Sequence, residues 1–342
     1  MKKIKLSLII FLTVLLTAGS IFADGGNRNG TAGASQLEIP VGTRGIAMGG
    51  ATLVGATGVE ALFWNPADLS RGKFGTDVMF SHMSHIADIG ISYGAIGVNL
   101  GEFGSLAFSI KSLDIGDIEK TTNQNPDGTG ATFSPSFMTI GATYSKLLSD
   151  RIAVGLTMNI ISEKIDLVSA TGVAFNIGIS YHDLANVEGL NLAFVIKNLG
   201  TDMKYEGSGL NVIAKPDDYL RPQQYYKIEA AAYEIPSALQ MGLGYTVNFD
   251  EHKLDFVASF ASNNYYSDEY NFGVEYGFNN LIFLRGGYTY AANIDKDDRL
   301  YDLTAGFGIN YDLGGVNFKV DYAFRNTQYF DNGHVFSVGI GL

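Results

Sequence analysis

Any chemistry in this sequence would have to come from histidines and scattered charges, because its 342 residues include no cysteine. That absence excludes disulfides, thiolate metal sites and a lipoprotein anchor. The five histidines, His82, His85, His182, His252 and His334, fall in no metalloprotease spacing. No Gly-x-Ser-x-Gly elbow stands in a strand–turn–helix setting, and no phosphate loop occurs. Asp295, Asp297 and Asp298, with Asn293 nearby, gather carboxylates of the kind that attract calcium. Their spacing lacks the glycine and the terminal glutamate of a calcium loop, so a solvated loop is expected. We therefore expect no enzyme activity, no metal and no cofactor. One set of charges remains. Glu275, Arg285, Lys319, Asp321 and Arg325 fall within segments that are otherwise apolar or small.

Those charges are intelligible only in the framework that carries them. From Gly75 onward the chain alternates with period two. Ile152, Val154, Leu156, Met158 and Ile160 alternate with Ala153, Gly155, Thr157 and Asn159. Val316, Phe318, Val320, Tyr322 and Phe324 alternate with Asn317, Lys319, Asp321, Ala323 and Arg325. Such strands suit either a soluble sandwich, apolar face inward, or a membrane barrel, apolar face outward. Strand lengths of about 9–13 residues fit a tilted bilayer crossing. The second face is rich in Gly, Ser, Thr and Asn, with few of the Lys and Glu of a soluble surface. Tyr and Phe recur at strand ends, as in an interfacial girdle. Composition agrees: 46% hydrophobic, only 17% charged, with 42 Gly, 19 Tyr and 22 Phe. The predicted fold class is all-β, a transmembrane antiparallel β-barrel of about fourteen strands between 76–83 and 333–342, with an N-terminal plug containing short helices.

Connection lengths give an independent check. With the N-terminus periplasmic, odd-numbered connections lie outside the membrane. The long ones, 113–134 and 199–235, follow the third and seventh strands, whereas even connections such as Gly101-Glu102 and Leu313-Gly314 are short. Ahead of the barrel, Lys2, Lys3 and Lys5 precede the apolar run Leu6–Leu16, and Ala23 offers a cleavage point, so 1–23 reads as a signal peptide. The domain plan is then leader 1–23, lead-in and plug 24–74, and barrel 75–342. On the lumen face, Glu275, Arg285, Lys319, Asp321 and Arg325 have two possible jobs. They could bind a substrate headgroup or form an ion-pair ladder fastening the plug. Intramembrane charges generally pair, which favours the ladder.

The stretch Pro40–Leu69 departs from the alternation and holds the only tryptophan, Trp64. Met48, Phe63, Trp64, Asn65, Pro66 and Ala67 are the candidate plug and gate residues. Proline fixes φ, asparagine caps a turn, and alanine allows close packing. Phe63 and Trp64 could line a hydrophobic pocket or simply pack plug against wall. Gly45-Ile46-Ala47-Met48-Gly49-Gly50-Ala51, followed by Ala61-Leu62-Phe63-Trp64-Asn65-Pro66-Ala67, resembles the N-terminal signature of the PorV/PorQ family of outer-membrane proteins. It is similar, more loosely, to the FadL family of hydrophobic-substrate transporters, whose hatch carries an Asn-Pro-Ala element.

The resemblance implies a fourteen-stranded plugged barrel and two different jobs. FadL-like members pass fatty acids or other hydrophobic compounds across the outer membrane. PorV-like members hold cargo of the type IX secretion system there. A structural barrel without transport is a third reading. The partners expected are outer-membrane lipid, a hydrophobic small molecule or a secreted cargo protein, and the barrel-assembly machinery of a diderm bacterium. A net charge of −12 excludes nucleic acid.

Overall fold

The computed structural model describes residues 28–215 and 222–342; the expected leader, 1–23, lies outside the described residues. Period-two alternation produces fourteen long strands. They are β1 (Thr76–Ser84), β2 (Gly90–Asn99), β3 (Ser105–Asp114), β4 (Ser136–Leu147), β5 (Ile152–Ile165), β6 (Val168–Tyr181) and β7 (Leu190–Gly200). After the longest connection come β8 (Ala238–Phe249), β9 (His252–Asn263), β10 (Glu269–Phe278), β11 (Ile282–Ala291), β12 (Tyr301–Leu313), β13 (Val316–Thr327) and β14 (Gly333–Gly341). Each pairs antiparallel with its sequence neighbours. β14 returns to β1, with Asp77 opposite Gly341 and Ser84 opposite His334, so the sheet closes and leaves no free edge.

The two faces separate as their chemistry requires. Val78 and Phe80 of β1 are exposed on the outside, while Met79, Ser81 and Met83 face the lumen and are buried. In β5, Leu156, Met158 and Ile160 project outward, and Thr157, Asn159 and Ile161 project inward. An apolar belt turned outward is stable only against lipid. Tyr144, Phe249 and Tyr311 mark one end of that belt, and Tyr288 and Tyr290 the other.

Turn chemistry sets the two rims. On the rim shared by both ends of the barrel sheet, connections are short. Asn279 and Asn280 both adopt left-handed backbone, with φ of 53° and 52°, as a tight hairpin between β10 and β11 demands. The opposite rim carries the long connections, 115–135 and 201–237, with their own small hairpins such as Asn211–Ala214 paired with Gln224–Lys227. One connection on that rim is shorter than the alternating pattern suggests. Asp166, at φ 49°, closes a two-residue hairpin with Leu167, so β5 and β6 both run longer than the sequence pattern marks.

Residues 28–74 occupy the lumen. The first described residues lie at the outer rim, where the Gly33 N–H donates to the Glu234 carbonyl at 3.2 Å and Arg28 stacks on Tyr265. It then descends through helix α1 (Thr43–Ala47) and two short 3-10 turns, Gly58–Ala61 and Pro66–Arg71. It reaches the inner rim where Arg71 donates to the Asp150 carbonyl at 3.3 Å. Arg28 finds its carboxylate, Glu234, on an outer loop, which holds the first described residues high in the barrel.

Candidate functional site

The Asn65-Pro66-Ala67 element is a helix start. Asn65 Oδ1 accepts the Ala67 N–H at 3.1 Å, and Pro66 occupies the first helical position, where its missing N–H costs nothing. Asn65 Nδ2 also donates to the Leu53 carbonyl at 3.1 Å, tying two plug turns together. The turn lies directly against the wall. A Cβ at Gly155 would overlap the Pro66 carbonyl group, and one at Gly178 would overlap Asn65 Oδ1. The Ala67 carbonyl accepts the wall hydroxyl of Ser145 at 2.6 Å. Met48 is fully buried, and its backbone seats against Gly273 of β10, where a Cβ would come within 2.7 Å of its carbonyl oxygen. Trp64 packs edge-on to Phe63, with ring centroids 5.0 Å apart, and lies over α1. All six candidate plug residues therefore sit where plug meets wall or cavity.

Four of the five lumen charges converge on one network in the inner half of the barrel. Its hub is a residue the sequence reading did not single out, Arg44 of α1. The Arg44 guanidinium grips Glu275 of β10 with two bonds of 2.8 Å, donates to the Gly55 carbonyl at 2.6 Å, and lies 3.7 Å from Asp255 of β9. Arg285 of β11 bridges Glu275, at 2.6 Å, to Asp321 of β13. Lys319 reaches Glu60 of the plug at 3.4 Å. Lys253 and Thr246 complete the shell around Asp255, at 2.6 and 2.7 Å. Two plug residues are thus bonded to three strands, β9, β10 and β13, in a network that extends to β8 and β11 through charge-assisted bonds that low dielectric strengthens.

Arg325 is not part of this network. It lies near the outer end of β13, with its guanidinium 3.4 Å from the Tyr301 ring centroid. It lies four positions beyond Asp321, which is about 13 Å along a strand. Sharing a face with the ladder does not put it at the same depth.

Above the plug, at the outer end, lies a cavity of about 630 Å³. That size suits a small ligand. Leu37, Ile39, Pro40, Phe63 and Trp64 of the plug form its floor, and Ile86, Ile89, Leu113, Ile115 and Phe137 line its wall. Its polar groups are few. Glu38 faces Glu269, and burial together with that neighbour pushes the Glu38 carboxyl up to about 7. His85, stacked on Tyr301, is lowered to about 4 by burial and by Arg325. On the inner side, Lys197 lies 4.2 Å from the Phe63 ring centroid, and Lys111 lies 5.0 Å from the same ring. Both lysines went unremarked in the sequence. Their signal is a lone Lys on the small, polar face of an alternating strand. The carboxylates of 293–298 remain in the outer connection between β11 and β12, and the described residues contain no cluster able to hold a metal ion.

No family model and no curated protein matches the chain. Solved structures do. The Pseudomonas putida toluene transporter TodX is similar over 88% of this chain and 96% of its own, with a TM-score of 0.56 and 13% identity. A Pseudomonas aeruginosa FadL homologue is similar over 88% of this chain and 98% of its own, with a TM-score of 0.51 and 13% identity. At that identity the likeness is one of fold. The chain is a closed fourteen-stranded antiparallel β-barrel with the fold of those two proteins.

Proposed function

We propose that this chain is an outer-membrane channel that takes up hydrophobic small molecules, such as fatty acids, through a plugged lumen. The observation that carries the reading is the outer cavity, largely apolar, floored by Phe63 and Trp64 of the plug. It is a place where a hydrophobic molecule would leave water before passing the plug. The fold shared with the toluene transporter supports the same direction. The export leader expected at 1–23 and the outward apolar belt agree with an outer-membrane address reached through barrel-assembly machinery. No enzymatic step is assigned to the chain. Uptake of a labelled long-chain fatty acid by cells with and without the gene tests the reading. Faster uptake with the gene is expected, and equal rates would overturn it.

A second reading, attachment of secreted cargo in the manner of PorV/PorQ, draws on the Met48 and Trp64 motifs and on one surface. The outer hairpin Asn211–Ala214 with Gln224–Lys227 exposes Ile213, Tyr225 and Ile228. Exposed apolar groups on an outer loop are suited to a protein partner. Co-purification of exported proteins that share a C-terminal domain, lost when Tyr225→Ser and Ile213→Ser are combined, would favour it over uptake.

A further inference from the structure

The outer cavity has one wall that differs from its apolar floor. On β9 and β10, across from Leu113 and Phe137, the lumen face turns polar. Ser259 of β9 pairs with Asn271 of β10, and Glu269 lies two residues outward on the same face of β10. Ser259 and Asn271 are 6% and 7% exposed and line the cavity, yet among the described residues neither side chain has a hydrogen-bond partner. Glu38 of the plug faces Glu269. Among the described residues neither carboxylate forms a hydrogen bond or an ion pair, and no hydrogen bond joins the two. The cations on the cavity are engaged elsewhere. Arg325 lies over the Tyr301 ring and acts on Glu269 only from beyond ion-pair distance. Arg299 donates to the Ile294 carbonyl and covers the Tyr290 ring. Lys197, three strands from Glu269 on β7, meets the rings of Phe63 and Trp64. Among the other groups there that titrate below pH 8, Asp298 is exposed at the lip and His85 is neutral near pH 7. Two facing carboxylates with no cation between them are costly to bury.

We propose that Glu38, Glu269 and Asn271 form a receptor for the ammonium head of an amphiphilic amine. An alkylammonium carries three N–H donors. The two carboxylates and the Asn271 amide oxygen offer three acceptors, two from the wall and one from the plug. Tyr266, beside both carboxylates on the same cavity, adds an aromatic face of the kind that attracts a cation. Charge-assisted bonds to a buried carboxylate pair favour a cationic head over a neutral hydroxyl. The hydrocarbon part then lies against Phe63 and the apolar wall, in a cavity of about 630 Å³ that has room for it. The head-group assignment rests on this cluster alone. That the amine is carried further inward rests on the channel reading above.

Titration calorimetry of hexylamine and hexanol with the purified full chain in detergent tests it. At about pH 8 hexylamine is expected to bind roughly tenfold more tightly than hexanol, the ratio that one charge-assisted bond would give. That ratio should fall to about one in Glu269→Gln and in Glu38→Gln, and partway in Asn271→Leu, each checked for folding by heat-modifiable migration. It should also shrink between about pH 8 and about pH 5.5, because a proton on Glu38 then competes with the ammonium. Equal binding of hexylamine and hexanol at the higher pH would overturn the amine receptor and leave the channel reading intact. A preference for hexylamine that survives in both glutamine variants would also overturn it. Binding of neither compound would remove the receptor together with the cavity's part in the channel reading.

Discussion

Arg44 is the place to pull the plug from the wall. Replacing it with methionine keeps much of the side-chain volume and removes the one cation that, among the described residues, Glu275, Asp255 and Glu60 share. Deleting one partner of a buried ion pair costs about 3–5 kcal/mol. Here the lower figure applies, because Glu275 retains Arg285, Asp255 retains Lys253, and Glu60 retains Lys319. A loss of about 3 kcal/mol raises the population of unseated plug roughly a hundredfold. The assay is built into the chain. Trp64 is the only tryptophan and is buried within the plug, so its fluorescence follows the plug, whereas far-ultraviolet circular dichroism follows the strands. In a guanidinium titration in detergent, Arg44→Met should move the Trp64 transition to lower denaturant and leave the strand transition close to wild type. Adding Glu275→Gln should recover part of the loss by removing a carboxylate left short of partners. A Trp64 midpoint unchanged in Arg44→Met, or one that shifts together with the strand signal, would refute the claim that this network fastens the plug.

Three further outcomes are expected. Asn65→Ala removes the cap on Ala67 and the bond to Leu53, and should cost the plug about 1–2 kcal/mol by the same Trp64 titration. Gly155→Val forces a side chain into Pro66 and should stop the plug from seating, read as increased proteolysis of residues 40–71 in a barrel that still migrates as folded. The Glu38 carboxyl is raised to about 7 from 4.5, so the folded state holds a proton there that the unfolded chain releases. Plug stability should therefore fall as pH rises from about 4.5 to about 7, and Glu38→Gln should flatten that slope in a Trp64-monitored melt.

The barrel was legible because a membrane wall imposes the simplest pattern a chain can carry. One residue meets lipid and the next meets the lumen, and aromatic residues and turns punctuate the run. Asn279-Asn280 could be read as a turn directly, since two left-handed residues in succession favour Asn. The hairpin at Asp166-Leu167 was missed because aspartate followed by leucine carries little turn signal. Alternation reports which face a residue occupies and says nothing about depth. Glu275, Arg285, Lys319 and Asp321 share a level, while Arg325 lies higher on the same face of β13. The plug was found as a break in the pattern, but its internal contacts were not. Arg44 sits in a stretch of glycine and alanine with no periodicity to show which way it points. Lys111 and Lys197 are 86 positions apart, and only the curvature of the wall brings them to one ring, that of Phe63.

The closure of β14 onto β1 has a consequence for how the molecule is made. The segment that fills the lumen is synthesised before the wall, and the strand that seals the lumen is synthesised after the other thirteen. Because the filling segment spans from the outer loops at Glu234 to the inner turn at Asp150, it could not be threaded into a finished barrel without passing its whole length through the bore. A sheet that curls around it avoids that passage. Until it does, Asp255 and Glu275 on the inner wall lack Arg44, which adds to the cost of sealing an empty cylinder. A seam that closes with the N-terminal segment already in place avoids that cost.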